Sequence, residues 1–120
     1  VRILFVDDEE LVRDLTAEIL RQLGHELIVC SGGQEAVQWY RKEWQTIDLV
    51  ILDMLMPDLN GREVFVALKE VNPQVKTLVS SGYSEEGEAQ DLLREGVSGF
   101  LQKPFLLDEL AEKIRQVMKR

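Results

Sequence analysis

The sequence holds one cysteine, one histidine and three prolines among 120 residues. A lone Cys30 excludes an internal disulfide, and a reducing, cytoplasmic setting is expected. No apolar run approaches the length that crosses a bilayer, and no secretory-leader pattern opens the chain. Positive charge is also scarce: 14 Lys and Arg stand against 22 Asp and Glu, a net charge of −8. A basic face able to neutralise phosphates is not expected, which argues against nucleic acid or membrane contact by this domain. Proteins and a cation are the expected partners. No linker, repeat or low-complexity tract divides the chain, so residues 1–120 are expected to form a single domain with one core. The opening at Val1, inside an expected strand and without an initiator methionine, suggests a segment of a longer protein.

What is present is a strict alternation. The apolar runs Ile3–Val6, Leu27–Val29, Leu49–Leu52, Thr77–Val79 and Phe100–Leu101 are mostly continuous, as in strands covered on both faces. Between them apolar residues recur at helical spacing: Val12, Leu15, Ile19 and Leu23; Ala36, Val37, Tyr40 and Trp44; Val64, Leu68 and Val71; Leu110, Ile114 and Val117. Gly24 is placed as a left-handed stop to the first helix. The fourth stretch, Ser84 to Glu95, has only the thin stripe Ala89, Leu92 and Leu93, with Gly87 and five acidic residues against it. Such βα alternation predicts an α/β fold, a doubly wound (βα)5 with a five-stranded parallel sheet and helices on both faces. Strand order 2-1-3-4-5, the flavodoxin-like one, is a common solution that spacing alone does not fix.

Sites in open α/β sheets lie at the carboxyl ends of the strands. Those ends carry Asp7 and Asp8 after the first strand, Asp53 after the third, Ser81 after the fourth and Lys103 after the fifth. With order 2-1-3-4-5 the three carboxylates fall close together, and like charges that near call for a cation. Oxygen-only ligands suit a hard ion, and Mg²⁺ fits a site with few carboxylates and open water positions. Asp53 as nucleophile, Lys103 and the Ser81 hydroxyl form a set able to receive a phosphoryl group, a transfer governed by positioning and charge.

Asp7-Asp8, the run from Leu52-Asp53 through Met56-Pro57 to Gly61, Ser81-Gly82 and Lys103-Pro104-Phe105 together resemble the response-regulator receiver family of two-component signalling. The match spans the whole chain with every motif in order. The resemblance implies a phosphoacceptor signalling domain rather than an enzyme in the ordinary sense. Asp53 would be the phosphoacceptor and Asp8 a direct Mg²⁺ ligand. Asp7 would support the ion through water, and the Leu55 carbonyl would be a further ligand. It also implies Ser81 and Phe100 as the switch pair, Lys103 as the family lysine and a cis peptide before Pro104. A histidine kinase or histidine phosphotransfer protein would be the donor, and the helix 4, strand 5 and helix 5 face the output surface. The Ser81-Gly82-Tyr83 turn and the stretch from Lys103-Pro104-Phe105 to Arg120 resemble receivers attached to hybrid histidine kinases. Leu55 and Tyr83 stand where some members carry polar groups, and Phe100 replaces a tyrosine.

Simpler readings accompany each residue. Asp7-Asp8 alone would cap a helix, Ser81 alone would be a turn residue, and Lys103-Pro104 alone would end a strand. His25 sits in a helix-to-strand turn away from the acidic rim and is read as solvated. Cys30 is read as a small, partly buried apolar residue. Ser31-Gly32-Gly33 lacks the downstream residues of a P-loop. A haloacid-dehalogenase-type phosphatase would need a second Asp at position 55, and a flavodoxin-like FMN carrier would not place Asp7-Asp8-Glu9-Glu10 at its phosphate loop. A receiver-like module that is never phosphorylated is the third alternative, against which the full acidic set with Lys103 argues.

Overall fold

Strand and helix alternate from end to end: β1 (Arg2–Val6), α1 (Glu10–Gln22), β2 (Glu26–Cys30), α2 (Gly33–Glu43), β3 (Leu49–Asp53), α3 (Gly61–Val71), β4 (Thr77–Ser81), α4 (Glu86–Glu95), β5 (Gly99–Gln102) and α5 (Leu107–Met118). This computed structural model describes residues 1–81, 86–103 and 106–119, leaving aside the side chains of 81 and 86–90. The five strands form one parallel sheet in the order β2-β1-β3-β4-β5, as expected.

The apolar runs are continuous because each strand feeds two cores. Ile3, Phe5, Leu49, Ile51 and Leu78 meet Ala17 and Leu20 of α1 and Leu110, Ile114 and Val117 of α5. Leu4, Val6, Val50, Leu52 and Val79 meet Ala36, Val37 and Tyr40 of α2, Val64, Phe65 and Leu68 of α3, and Leu92 of α4. The edge strand β2 is less covered, with Leu27, Ile28 and Val29 only half-buried. Cys30 is buried rather than partly exposed, and that environment pushes its thiol pKa far above the ordinary value, so it is an inert packing group.

The inward face of α1 differs from the sequence expectation. Thr16, Ala17 and Leu20 are buried, whereas Leu15 is 59% exposed and Leu11 72%; Val12, Ile19 and Leu23 are half-buried at the margins. Gly24 does end α1 in the left-handed region, at φ +92°. Its N–H donates to the Arg21 carbonyl and that of His25 to the Leu20 carbonyl, a Schellman closure.

Strand register sets the rim. Val6 is level with Leu52, so the next residues, Asp7 and Asp53, emerge side by side. Asp53 is level with Ser80, and Ser81 with Gln102, which brings Lys103 to the same edge.

Candidate functional site

Asp7 and Asp53 are 1% and 5% exposed, while Asp8 is half-buried. One oxygen from each of these three carboxylates lies within 4.8 Å of the others. The Lys103 ammonium reaches across the rim to Asp7 Oδ2 at 2.8 Å and Asp53 Oδ2 at 3.2 Å. The remaining Asp7 oxygen accepts from the Glu9 N–H at 3.0 Å, and Arg13 donates to the Asp7 carbonyl at 3.0 Å. Three carboxylates against one ammonium leave the pocket net negative.

These charges perturb one another. Burial is the largest influence on Asp53; Lys103 opposes it and Asp7 reinforces it, so its pKa is raised. Burial alone would lower Lys103, but Asp7 and Asp53 outweigh it and hold the ammonium above its ordinary value. A carboxylate that resists ionisation is the expected result of burying it beside a second carboxylate, with Lys103 offsetting only part of the cost. The donor set is all oxygen, which fits a hard divalent cation.

The loop after β3 is closed at its base, where the Gly61 N–H donates to the Met54 carbonyl at 2.8 Å and Met54 N–H to the Ser80 carbonyl at 2.9 Å. A Cβ on Gly61 would lie 3.0 Å from Met54 Cα and 3.1 Å from the Asp53 carbonyl oxygen, so α3 abuts the end of β3 as only glycine permits. Asn60 and Glu63 form a reciprocal capping box at the start of α3, a signature present in the sequence as Asn60-Gly61-Arg62-Glu63. Leu55 is 51% exposed, and its N–H lies 3.5 Å from Asp53 Oδ1.

Asp7, Asp8, Asp53 and Lys103 thus meet as expected. The Ser81 backbone ends β4 on the same edge, but its side chain lies outside the described residues, as do Gly82, Tyr83, Pro104 and Phe105, and with them the expected cis peptide. Phe100 is half-buried, level with Val79 on β5 and packed at the margin of the α2–α4 core. His25 is on the opposite rim. Asp58 was not singled out by sequence. Its carboxylate accepts from the N–H groups of Gly33 and Gln34 at the start of α2, a contact across the fold that no local pattern announces.

The model of the response regulator receiver domain matches residues 3–115. The chain belongs to this family. It is 30% identical over 118 residues to the sensor kinase CckA of Brucella abortus, covering 98% of this chain and 12% of that protein. It is 29% identical over 119 residues to the chemotaxis protein CheY of Thermotoga maritima, covering 98% of both. Among solved structures, a CheX–CheY–BeF3–Mg²⁺ complex from Borrelia burgdorferi aligns with a TM-score of 0.92 at 26% identity, covering 97% of this chain and 87% of that one. This receiver domain is accordingly a phosphoacceptor of two-component signalling, not a classical enzyme. Its acidic triad is of the kind that holds a divalent cation. Among the described residues no helix is long and apolar enough to cross a membrane.

Proposed function

We propose that Asp53 takes the phosphoryl group and that Mg²⁺ is held by Asp8, Asp53 and the Leu55 carbonyl, with Asp7 supporting it through water. The observation that carries this reading is the Lys103 ammonium shared between Asp7 and Asp53 at 2.8 and 3.2 Å beside the open acidic cleft. An Asp53 oxygen attacks phosphorus, the P–N bond of a phosphohistidine donor breaks as the P–O bond forms, and the imidazole departs neutral after gaining a proton. Lys103 is placed to meet the developing charge on the phosphoryl oxygens. The cation, when bound, supplies positive charge and coordination sites for those oxygens. Named in the CheY complex from Borrelia burgdorferi, BeF3 and Mg²⁺ support the same chemistry in this chain.

A histidine kinase or histidine phosphotransfer protein is the donor in this reading. Leu11 at the start of α1 and Leu55 and Leu106 on the loops after β3 and β5 are 72%, 51% and 68% exposed, apolar side chains at the carboxyl ends of the strands that a protein partner would cover. Ser81 and Phe100 act as the switch pair: Phe100 is incompletely buried at the margin of the α2–α4 core, and the α4, β5 and α5 face reads out the change. Residues 1–120 act as one such module in a reducing, cytoplasmic setting, consistent with the single buried thiol.

Incubation with Mg²⁺ and a small phosphodonor tests the assignment. One alkali-labile phosphoryl group is expected by mass, absent in Asp53→Asn. An Asn variant that accepted phosphate at the parent's rate and stoichiometry would overturn it.

A further inference from the structure

The N-terminus of α2 has no cap of its own. Its N-cap residue is Gly32, which makes no side-chain hydrogen bond, so the first amides of α2 need acceptors from elsewhere. Asp58, remote in sequence and on the loop that follows Asp53, supplies them: its carboxylate accepts from Gly33 N–H at 3.1 Å and Gln34 N–H at 3.0 Å, and from its own neighbour Leu59 N–H at 2.8 Å. The contact is tailored from both sides. A Cβ on Gly32 would lie 3.0 Å from Asp58 Oδ2, and one on Gly33 would lie 2.7 Å from Val64 and 2.8 Å from the Leu59 Cβ. Two consecutive glycines therefore let the loop lie directly against the helix start.

This loop also carries Leu55. Its base is closed by Gly61 and Met54; further out, Leu55, Pro57 and Asp58 are exposed while Met56 between them is buried. Met56 and Leu59 pack on the α2–α4 core, the Asn60–Glu63 box ties the end of the loop to α3, and Asp58 adds the side-chain hydrogen bonds that tie it to α2. Loss of those bonds leaves the loop held by Met56, Leu59 and the Asn60–Glu63 box, with no side-chain hydrogen bond from 55–59 to α2 to fix the backbone beside the Leu55 carbonyl.

We infer that Asp58 is a positioning residue for phosphoryl transfer: by seating its carboxylate on the start of α2 it fixes the 54–60 loop, and with it the Leu55 carbonyl among the cation's ligands. The inference rests on the Asp53 and Leu55 assignments proposed above. The amides of Gln34, Gly33 and Leu59 hold the Asp58 carboxyl below its ordinary pKa, so the acceptor stays ionised through the neutral range. An ion's affinity is sensitive to groups that orient its ligands, commonly by about 10–100-fold.

The test separates positioning from simple helix capping. In the 120-residue chain, Asp58→Ala is expected to strip hydrogen-exchange protection from the Gly33 and Gln34 amides and to raise the Mg²⁺ midpoint, followed by amide shifts at the acidic rim, about tenfold. Asp58→Asn keeps one acceptor oxygen but turns an NH2 donor toward the N–H groups that the other oxygen served, so its midpoint should lie between those of the parent and the Ala variant. Adding Gly32→Ser to Asp58→Ala gives α2 a cap of its own; stability and Gln34 protection should return while the Mg²⁺ midpoint stays high. An unchanged midpoint in Asp58→Ala, or a midpoint restored by Gly32→Ser, would overturn the role. The underlying reading fails separately, through continued phosphorylation of Asp53→Asn.

Discussion

The Lys103 ammonium lies 2.8 Å from a carboxylate oxygen of Asp7, and their side chains are 14% and 1% exposed. A pair this buried contributes less by its own attraction than by what its loss leaves behind, an uncompensated interior charge that costs roughly 3–5 kcal/mol. Lys103→Met should therefore lower stability by about 3 kcal/mol in the absence of divalent cations. Mg²⁺ should restore more stability to the variant than it adds to the parent, because it replaces the missing charge and binds with equal or higher affinity. Urea unfolding with and without Mg²⁺ measures both terms. A loss indifferent to Mg²⁺ would mean that packing of the lysine stem, and not charge, sets the cost.

Asp53 gives a pH dependence opposite to that of an ion-paired surface carboxylate. Burial first, and Asp7 after the opposing effect of Lys103, raise its pKa above 3.8. The folded state then holds the proton more tightly than the unfolded one. The resulting stability is complete below the ordinary carboxylate pKa and is lost as pH rises through the raised value. Asp53→Asn removes the ionisation, so without divalent cations it should be more stable than the parent at neutral pH, the difference closing as the pH falls toward the ordinary carboxylate range. Thermal melts from acid to neutral pH check this; a constant difference at all pH values would contradict it. Lys103, whose pKa is raised by the two carboxylates against the opposing effect of burial, contributes stability that is lost only in the alkaline range.

The two adjacent acids after β1 should behave differently toward a cation. Both Asp7 oxygens are engaged, one by Lys103 and the other by the Glu9 N–H, whereas Asp8 is more open to the cleft. Asp8→Ala should weaken Mg²⁺ binding well beyond the effect of Asp7→Ala, which as a supporting group should cost about tenfold. Titration of the two variants under one buffer decides the matter, and equal losses would remove the distinction.

Much of the rim was legible because strand ends and register are one-dimensional facts. Asp7 and Lys103 follow the last residues of β1 and β5, Asp53 is the last residue of β3, and parallel pairing then brings them together. The packing of α1 was not legible. Leu11, Val12, Leu15, Ile19, Leu20 and Leu23 surround so much of that helix that apolar spacing does not choose a face, and the true one includes the hydroxyl of Thr16. Asp58 escaped notice for another reason: its partners are remote in sequence, and an acidic loop residue is ordinarily solvated. Stability measurements should separate the two leucines of α1. Leu20→Ala is expected to cost about 2–5 kcal/mol and Leu15→Ala about 0.5 kcal/mol or less; comparable losses would restore the face suggested by spacing.

Gly61 joins the fold to the chemistry most directly. An added Cβ would lie 3.0 Å from Met54 Cα, 3.1 Å from the Asp53 carbonyl oxygen and 3.1 Å from Leu52 Cδ1, and two of these three are backbone atoms that cannot rotate away. Gly61→Ala must therefore shift α3 outward or displace the end of β3, at about 1–3 kcal/mol. The end of β3 is Asp53 itself, so the same shift should slow phosphoryl acceptance from a small donor, by up to about 10²-fold for a displacement near 1 Å. Gly24→Ala provides the control. That residue holds φ +92° with nothing within 4 Å of its Cβ position, on the rim opposite Asp53, so alanine there should cost about 1 kcal/mol and leave phosphoryl acceptance unchanged. Urea unfolding and mass-monitored phosphorylation of both variants give the comparison. If Gly61→Ala lost stability while accepting phosphate at the parent's rate, the close seating of α3 would be a packing feature with no hold on the phosphoacceptor.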